Sequence, residues 1–470
     1  MNTQHTLSTA PAPWTIDERL AWVARFRRAI ASDRDRLASL VEADTGKPAW
    51  ETLTGDVMPL LAACRWHERR APRVLRDRRV RGGAVWQTGI RQKVHRAPLG
   101  RVAIVATWNY PLLLLGVQLV QALIAGNRVV VKPSEHAPRS QRALLELATE
   151  AAMPPGLLEW TEATREAGPE LIARGDFDHV IFTGSTDVGR VIAGELSESL
   201  TASTLELSGR DSAIVLDDAD PVLAARSVWR AVVFNAGQTC MAPRRALVEP
   251  KAYGEFVRTI GSLASADGAR RLVLRDSARG IHEIAERAVE AGGRSVTGLL
   301  EPPERNAMRP IGIADCPEHA ELVEGRFFGP ALAIVPAHDL DHALEIHRRC
   351  DQHLATSVYT RRTGFARDLA PHLGVTTVTI NDTLLPTAHP GASIGGRGPS
   401  GWGLSQGTEG LLAMTRPVFV SITPGPLRPP IHEPNPQTAS RIGAFIGRLY
   451  GAKASSTKGT PHGQPSERAS

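Results

Sequence analysis

From Arg101 onward, short β-prone apolar runs alternate with apolar helical stretches, and this alternation limits the fold more than any other feature of the chain. Val102 to Ala106 reads as a buried strand, Leu112 to Ala125 as a helix and Arg128 to Val131 as a second strand. A helix from Ser140 to Ala152 follows, then a glycine-rich break and a strand at Val180-Ile181-Phe182. Such strand–helix–strand units close as a parallel sheet with right-handed crossovers. Ser212 to Leu216, Arg245 to Val248 and Leu332 to Val335 supply strands for a second α/β region. No internal repeat is present.

The N-terminal part is helical. Thr15-Ile16-Asp17-Glu18 has the capping-box spacing, and Leu20, Val23, Phe26 and Ile30 continue it as an amphipathic helix. Helical pattern then runs to about Arg70, just before Pro72, and residues 83–97 alternate as an extended ribbon would. From Pro424 the composition turns to Pro, Ser, Gly and Thr, which marks linker or disorder. Inside it, Ile442, Phe445, Ile446, Leu449 and Tyr450 share one helical face, flanked by Arg441, Arg448 and Lys453. Such a face docks on the protein's own surface or a dimer partner, or makes a weak membrane-surface contact through 440–453.

A chain of 470 residues is long for one core, so two or three lobes are expected. The pI of 9.4 invites a nucleic-acid reading. Yet Arg428 to Ser470 holds six Lys or Arg against two Glu, which is +4 of the total +6. The body is nearly neutral and carries no nucleic-acid-binding motif, so no nucleic-acid partner is expected. Met1 to Trp14 lacks a basic segment followed by an apolar run. The longest apolar stretch, Tyr110 to Ala125, is interrupted by Gly116, Gln118 and Gln121, and falls short of the roughly 18 residues a spanning helix needs. A cytoplasmic protein with reduced thiols is the expectation.

The four cysteines are Cys64, Cys240, Cys316 and Cys350, and none forms a C-x-x-C. Neither a disulfide framework nor a metal site is therefore expected. Cys240 follows the turn Gly237-Gln238-Thr239. It reads either as a nucleophile, since a few per cent of a free thiol is already thiolate near pH 7, or as a buried structural cysteine. Only six lysines occur in this arginine-rich chain, so Lys132 marks a position that suits a compact ammonium rather than a planar fork.

Three segments join the cysteine run Phe234 to Cys240. They are Pro98 to Pro111, which contains Thr107-Trp108-Asn109-Tyr110; Asn127 to Glu135; and Phe182-Thr183-Gly184-Ser185-Thr186-Asp187-Val188-Gly189 through to Leu205-Glu206-Leu207-Ser208-Gly209. Phe328-Gly329-Pro330 and Gly395-Gly396 to Ser400-Gly401-Trp402-Gly403 follow. In order and spacing this set closely resembles the aldehyde dehydrogenase superfamily over roughly residues 15–425, and the short stretch ahead of Pro98 resembles its compact class-3-type members. The resemblance implies an α/β, aldehyde dehydrogenase-like fold. A Rossmann-like parallel-sheet cofactor domain would occupy 1–82 and 97–206, and an α/β catalytic domain 207–390. A small β oligomerisation element would use 83–96 and 413–424, ahead of a basic, largely disordered tail at 425–470 with its short amphipathic helix. It also implies a homodimer that oxidises a small-molecule aldehyde to the carboxylic acid, with NAD or NADP, through a cysteine thiohemiacetal and thioester.

By that resemblance, Cys240 attacks the carbonyl, and the Asn109 amide with the Cys240 backbone N–H holds the oxyanion. Glu206 activates the hydrolytic water; between Leu205 and Leu207 its carboxylate would be desolvated and its pKa raised. Read alone, Asn109 is also a turn asparagine before Tyr-Pro, and Glu206 a strand residue facing solvent. Lys132 and Glu135 resemble the adenosine-ribose clamp, with the glutamate favouring NAD over NADP. Gly184, Ser185 and Gly189 open a helix whose N-terminus can meet a pyrophosphate, although G-x-G-x-x-G is absent. Trp108 packs near the adenosine half or serves as a core tryptophan, and Leu207 and Phe328 complete the cofactor contacts. Two departures stand out: Arg326 occupies the place of the family glutamate that holds the nicotinamide ribose, and Leu207-Ser208-Gly209-Arg210 replaces Leu-Gly-Gly-Lys. A CoA-acylating relative and a low-activity scaffold are the competing readings. Glu206 argues against the first, and Arg326 keeps the second open.

Overall fold

A computed structural model describes residues 14–424 and 435–451. The capping box at Thr15 and Glu18 starts the helix Ile16–Ser32, which buries Trp22, Val23, Phe26 and Ile30. Helices Arg34–Thr45, Ala49–Thr52 and Met58–Leu75 follow, the last two joined by a π-helical turn at Leu53–Val57. The helix expected to stop near Arg70 continues through Pro72 to Leu75. Pro72 sits in the final turn, so its missing N–H forfeits a single hydrogen bond where the helix ends anyway.

Six strands form the first sheet, in the order Gly401–Trp402, Ala202–Glu206, His179–Thr183, Arg101–Val105, Arg128–Lys132 and Leu158–Trp160. All neighbours are parallel except Gly401–Trp402, which runs antiparallel to Ala202–Glu206. This returning strand lies beyond the 390 boundary expected for the catalytic part, and it brings Gly401 opposite Glu206. Helix Leu113–Ala125 is buried on almost every side, which explains its largely apolar sequence, and the two glutamines that interrupt it, Gln118 and Gln121, are buried with hydrogen-bond partners at Thr183 and Gly407. The second sheet has seven strands, ordered Arg294–Ser295, Ile311–Ala314, Ala331–Pro336, Pro243–Val248, Asp211–Val215, Ala355–Tyr359 and Thr377–Ile380. Only Arg294–Ser295 is antiparallel within it. The architecture is the α/β one expected from the alternation.

The ribbon expected over residues 83–97 is confined to the strand Arg91–Pro98. Val85–Gln87 is a 3-10 turn between two glycines at positive φ, Gly82 (81°) and Gly89 (89°), whose backbone cannot continue a strand. Arg78–Arg79, Arg91–Pro98 and Thr415–Ile422 make a three-stranded sheet. Residues 80–92 and the described residues from Ser421 on form a smaller unit. It contains the helix Pro436–Tyr450, capped by Asn435, with Ile442, Phe445, Ile446 and Tyr450 exposed. Lys453 and the remainder of the expected basic tail lie outside the described residues. Among the described residues no helix is long and apolar enough to cross a membrane.

Candidate active site

Cys240 lies just before strand Pro243–Val248, at the end of a turn with an uncommon backbone. Asn235, Ala236 and Gly237 are consecutively left-handed, at φ 53°, 51° and 67°. Only a glycine fits the third place: a Cβ on Gly237 would sit 2.4 Å from the Gly329 carbonyl carbon and 2.6 Å from Pro330 N. Such strained backbone persists only where the surroundings over-determine it. Here the buried Glu51 accepts the Asn235 N–H at 2.8 Å and pairs with Arg270 at 2.9 Å. The fully buried Arg244 donates to the carbonyls of Gly237 (2.8 Å), Thr239 (2.9 Å) and Gly329 (3.0 Å). One guanidinium thus fastens the cysteine turn to the Phe328-Gly329-Pro330 loop.

Asn109 is buried and held from several sides. Its Oδ1 accepts from Thr107 Oγ1 at 3.1 Å, and its Nδ2 donates to the Gln238 carbonyl at 3.2 Å. Its own carbonyl receives Lys47 Nζ at 2.7 Å and Asn235 Nδ2 at 2.9 Å. The Cys240 backbone N–H donates to no backbone carbonyl among the described residues and faces its own thiol. Glu206 ends strand Ala202–Glu206, is buried, and has one oxygen, Oε1, without a partner among the described residues. Burial pushes its carboxyl up to about 6, with the hydroxyls of Ser405 and Thr183 pulling the other way.

These three residues line one cavity of about 610 Å³, together with Trp108, Gly184, Ser185, Leu207 and Phe328. Cys240 is half-buried there. Burial, and then the carboxyls of Glu206 and Asp211, push its thiol up to about 12, against the opposing charge of Arg244. A thiol so placed is protonated at neutral pH.

The expected cofactor contacts fall along the C-terminal ends of the first sheet's strands, where open α/β sheets bind ligands. Lys132, buried at the end of its strand, pairs with Glu135 at 2.6 Å. Burial raises the Glu135 carboxyl, but the hydrogen bonds from Lys132 and from its own backbone outweigh it and leave it below the ordinary value. Trp108 stands edge-on both to His136, at 6.2 Å beside this pair, and to Phe328, at 5.7 Å beside the cysteine. Ser185 caps the helix Thr186–Ser199 by taking the Val188 N–H at 3.3 Å. The N–H groups of Thr186 and Asp187 keep no partner among the described residues, so this helix start can receive an anion. Gly189 lets the helix close on the sheet, since a Cβ there would meet Leu207 Cδ2 at 2.5 Å. These groups fit a dinucleotide. Arg326 does not repeat the family pattern: it is largely exposed and pairs with Asp187 at 3.2 Å. Glu324, the nearest carboxylate upstream, is held by His319 at 3.2 Å.

Lys47, Glu51, Arg244 and Ser405 were not singled out by the sequence. For Lys47 a signal existed, since it is one of six lysines in an arginine-rich chain. Arg244 gave none, because an arginine beside a second arginine at the start of a strand reads as surface.

Two α/β sheets thus share one cavity that presents a thiol, a buried carboxyl and a clamped amide. Residues 8–420 match the model of the aldehyde dehydrogenase family, and the chain belongs to that family: an oxidoreductase that acts on aldehydes with NAD or NADP. A 4,4'-diapolycopene aldehyde oxidase from Methylomonas sp is 31% identical over 412 residues, spanning 86% of this chain and 77% of that protein. A geranial dehydrogenase from Castellaniella defragrans is 33% identical over 340 residues, 70% of each chain. The crystal structure of a Mycobacterium tuberculosis aldehyde dehydrogenase complexed with NAD+ matches with a TM-score of 0.81 at 28% identity, over 88% of this chain and 87% of that one.

Proposed function

We propose that the chain converts an aldehyde to its carboxylic acid through an acyl thioester on Cys240. The observation that supports this most is the meeting of Cys240, Asn109 and Glu206 in one largely apolar cavity. The Cys240 thiol gives its proton to solvent water in the cavity, Sγ bonds to the aldehyde carbon and the carbonyl electron pair moves to oxygen, giving a thiohemiacetal oxyanion. The Asn109 amide and the Cys240 N–H stabilise that oxygen, at about 3–4 kcal/mol per donor. NAD, or NADP, supplies the hydride acceptor when bound, held by Lys132, Glu135 and the first turn of Thr186–Ser199. Glu206 takes a proton from water as the water oxygen bonds to the acyl carbon, and the thiolate leaves with the electron pair of the broken C–S bond. A buried base with one free oxygen favours water over CoA as the acyl acceptor, because a CoA thiol would make that base redundant.

The test is NADH or NADPH formation with an aldehyde panel, alongside the acid released. One acid per NADH or NADPH without CoA supports the reading; strict dependence on CoA, or no reduction of either NAD or NADP, overturns it. The strand Thr415–Ile422 and its exposed Phe419 support pairing with a second copy as a homodimer, which light scattering at micromolar concentration tests.

A further inference from the structure

The cavity that holds Cys240 has a mouth of a definite chemical kind. Trp50, Met58 and Leu385 line it and are 56%, 57% and 64% exposed, so three large apolar side chains stand in water at its rim. Singly exposed apolar residues need no explanation, whereas a cluster at a cavity edge marks a binding surface. Deeper in, Phe234 stands edge-on to Trp50 with ring centroids 5.9 Å apart. The wall can be this close because position 55 carries no side chain: a Cβ on Gly55 would lie 2.9 Å from the Phe234 ring.

Charge decides what can lie against that wall. The one cationic side chain lining the cavity among the described residues is Arg230, and it is paired with Asp382 at 3.0 Å. The one acidic side chain lining it is Glu206. A carboxylate drawn into the cavity behind the aldehyde would find its one cationic neighbour already paired, at a desolvation cost with nothing to offset it. We propose that the cavity selects neutral aldehydes with long apolar tails, the tail leaving between Trp50, Met58 and Leu385, and discriminates against ω-carboxylate aldehydes. This rests on the aldehyde-oxidising reading above.

The experiment uses the full-length enzyme with NAD or NADP and unbranched aldehydes from propanal to decanal, kept below their aggregation concentrations, together with 4-oxobutanoate. Burying one CH2 is worth about fourfold in binding, so kcat/KM should climb about three- to fourfold per methylene until the tail emerges. 4-Oxobutanoate should fall at least about tenfold below butanal. Trp50→Ser and Leu385→Ser, both at exposed positions where folding is not at stake, should each reduce the decanal-to-propanal ratio of kcat/KM about fivefold or more. A flat series, or 4-oxobutanoate outperforming butanal, overturns the inference while propanal turnover leaves the dehydrogenase reading standing. No reduction of NAD or of NADP with propanal and decanal alike sinks both.

Discussion

Lys47 Nζ lies 2.7 Å from Asp56 Oδ2, with both side chains sealed from solvent. The same ammonium reaches the Asn109 carbonyl at 2.7 Å and stands 4.0 Å from the Tyr110 ring centroid. Asp56 Oδ1 accepts the Leu112 and Leu113 N–H groups at 3.2 Å. The two members of this ion pair thus fix the N-terminal helical region to the loop that carries Asn109. Burial lowers the Lys47 pKa, with the Asp56 carboxylate as the main opposing influence.

Lys47→Met should destabilise the protein by about 3–5 kcal/mol, because it leaves Asp56 buried without its partner. The Lys47→Met/Asp56→Asn double variant should recover part of that loss, since the amide oxygen can still accept from Leu112 and Leu113. Urea denaturation of the three proteins measures this. A double variant less stable than Lys47→Met alone would show that Asp56 acts independently of Lys47.

The thiol and the carboxyl in the cavity should titrate far from their usual ranges. With Cys240 pushed up to about 12, iodoacetamide alkylation of the cofactor-free enzyme should rise about tenfold per pH unit from 7 to 9 as thiolate accumulates. Glu206 pushed up to about 6 must be ionised to act as a base, so thioester hydrolysis should fall as pH drops, to about half at pH 6 and a tenth at pH 5. Glu206→Gln removes a charge that raises the thiol, so it should speed alkylation at fixed pH. Slower alkylation in Glu206→Gln would instead assign Glu206 the thiol proton.

Much of the fold was legible, and the site less so, for physical reasons. Strands such as Arg101–Val105 and Arg128–Lys132 are buried, and their apolar runs announce them. The two-residue strand Gly401–Trp402 is too short for any periodicity, and Pro72 misled because a proline in a last turn breaks almost nothing. That Cys240, Glu206 and Asn109 approach one cavity followed from a resemblance, not from patterns along the chain. Arg244 was invisible because its partners are backbone carbonyls, which carry no sequence signal.

Arg244→Lys tests that clamp. A lysine keeps the charge but cannot serve the carbonyls of Gly237, Thr239 and Gly329 together through a planar fork. The left-handed turn before Cys240 should loosen, and kcat should fall about ten- to a hundredfold while circular dichroism remains that of the wild type. Wild-type kcat in Arg244→Lys would mean that the turn is held by Glu51 and its own backbone.

Arg326 and Asp187 carry the last prediction. Their pair spans 3.2 Å between side chains that are 46% and 76% exposed, so it contributes at most about 1 kcal/mol to stability. At this position the family resemblance implies a carboxylate that receives the nicotinamide-ribose hydroxyls; arginine can only donate. Restoring one or two charge-assisted hydrogen bonds is worth roughly 1.5–3 kcal/mol, or about ten- to a hundredfold in affinity. Arg326→Glu alone would set the new carboxylate beside Asp187, and the repulsion should hide part of the gain. Arg326→Glu combined with Asp187→Asn removes that repulsion and should bind NAD at least about tenfold more tightly than the wild type, with the single variant between them. Titration calorimetry of NAD into all three proteins measures the order. Equal dissociation constants would mean that residue 326 does not reach the cofactor, and that its exchange from glutamate to arginine is neutral for binding.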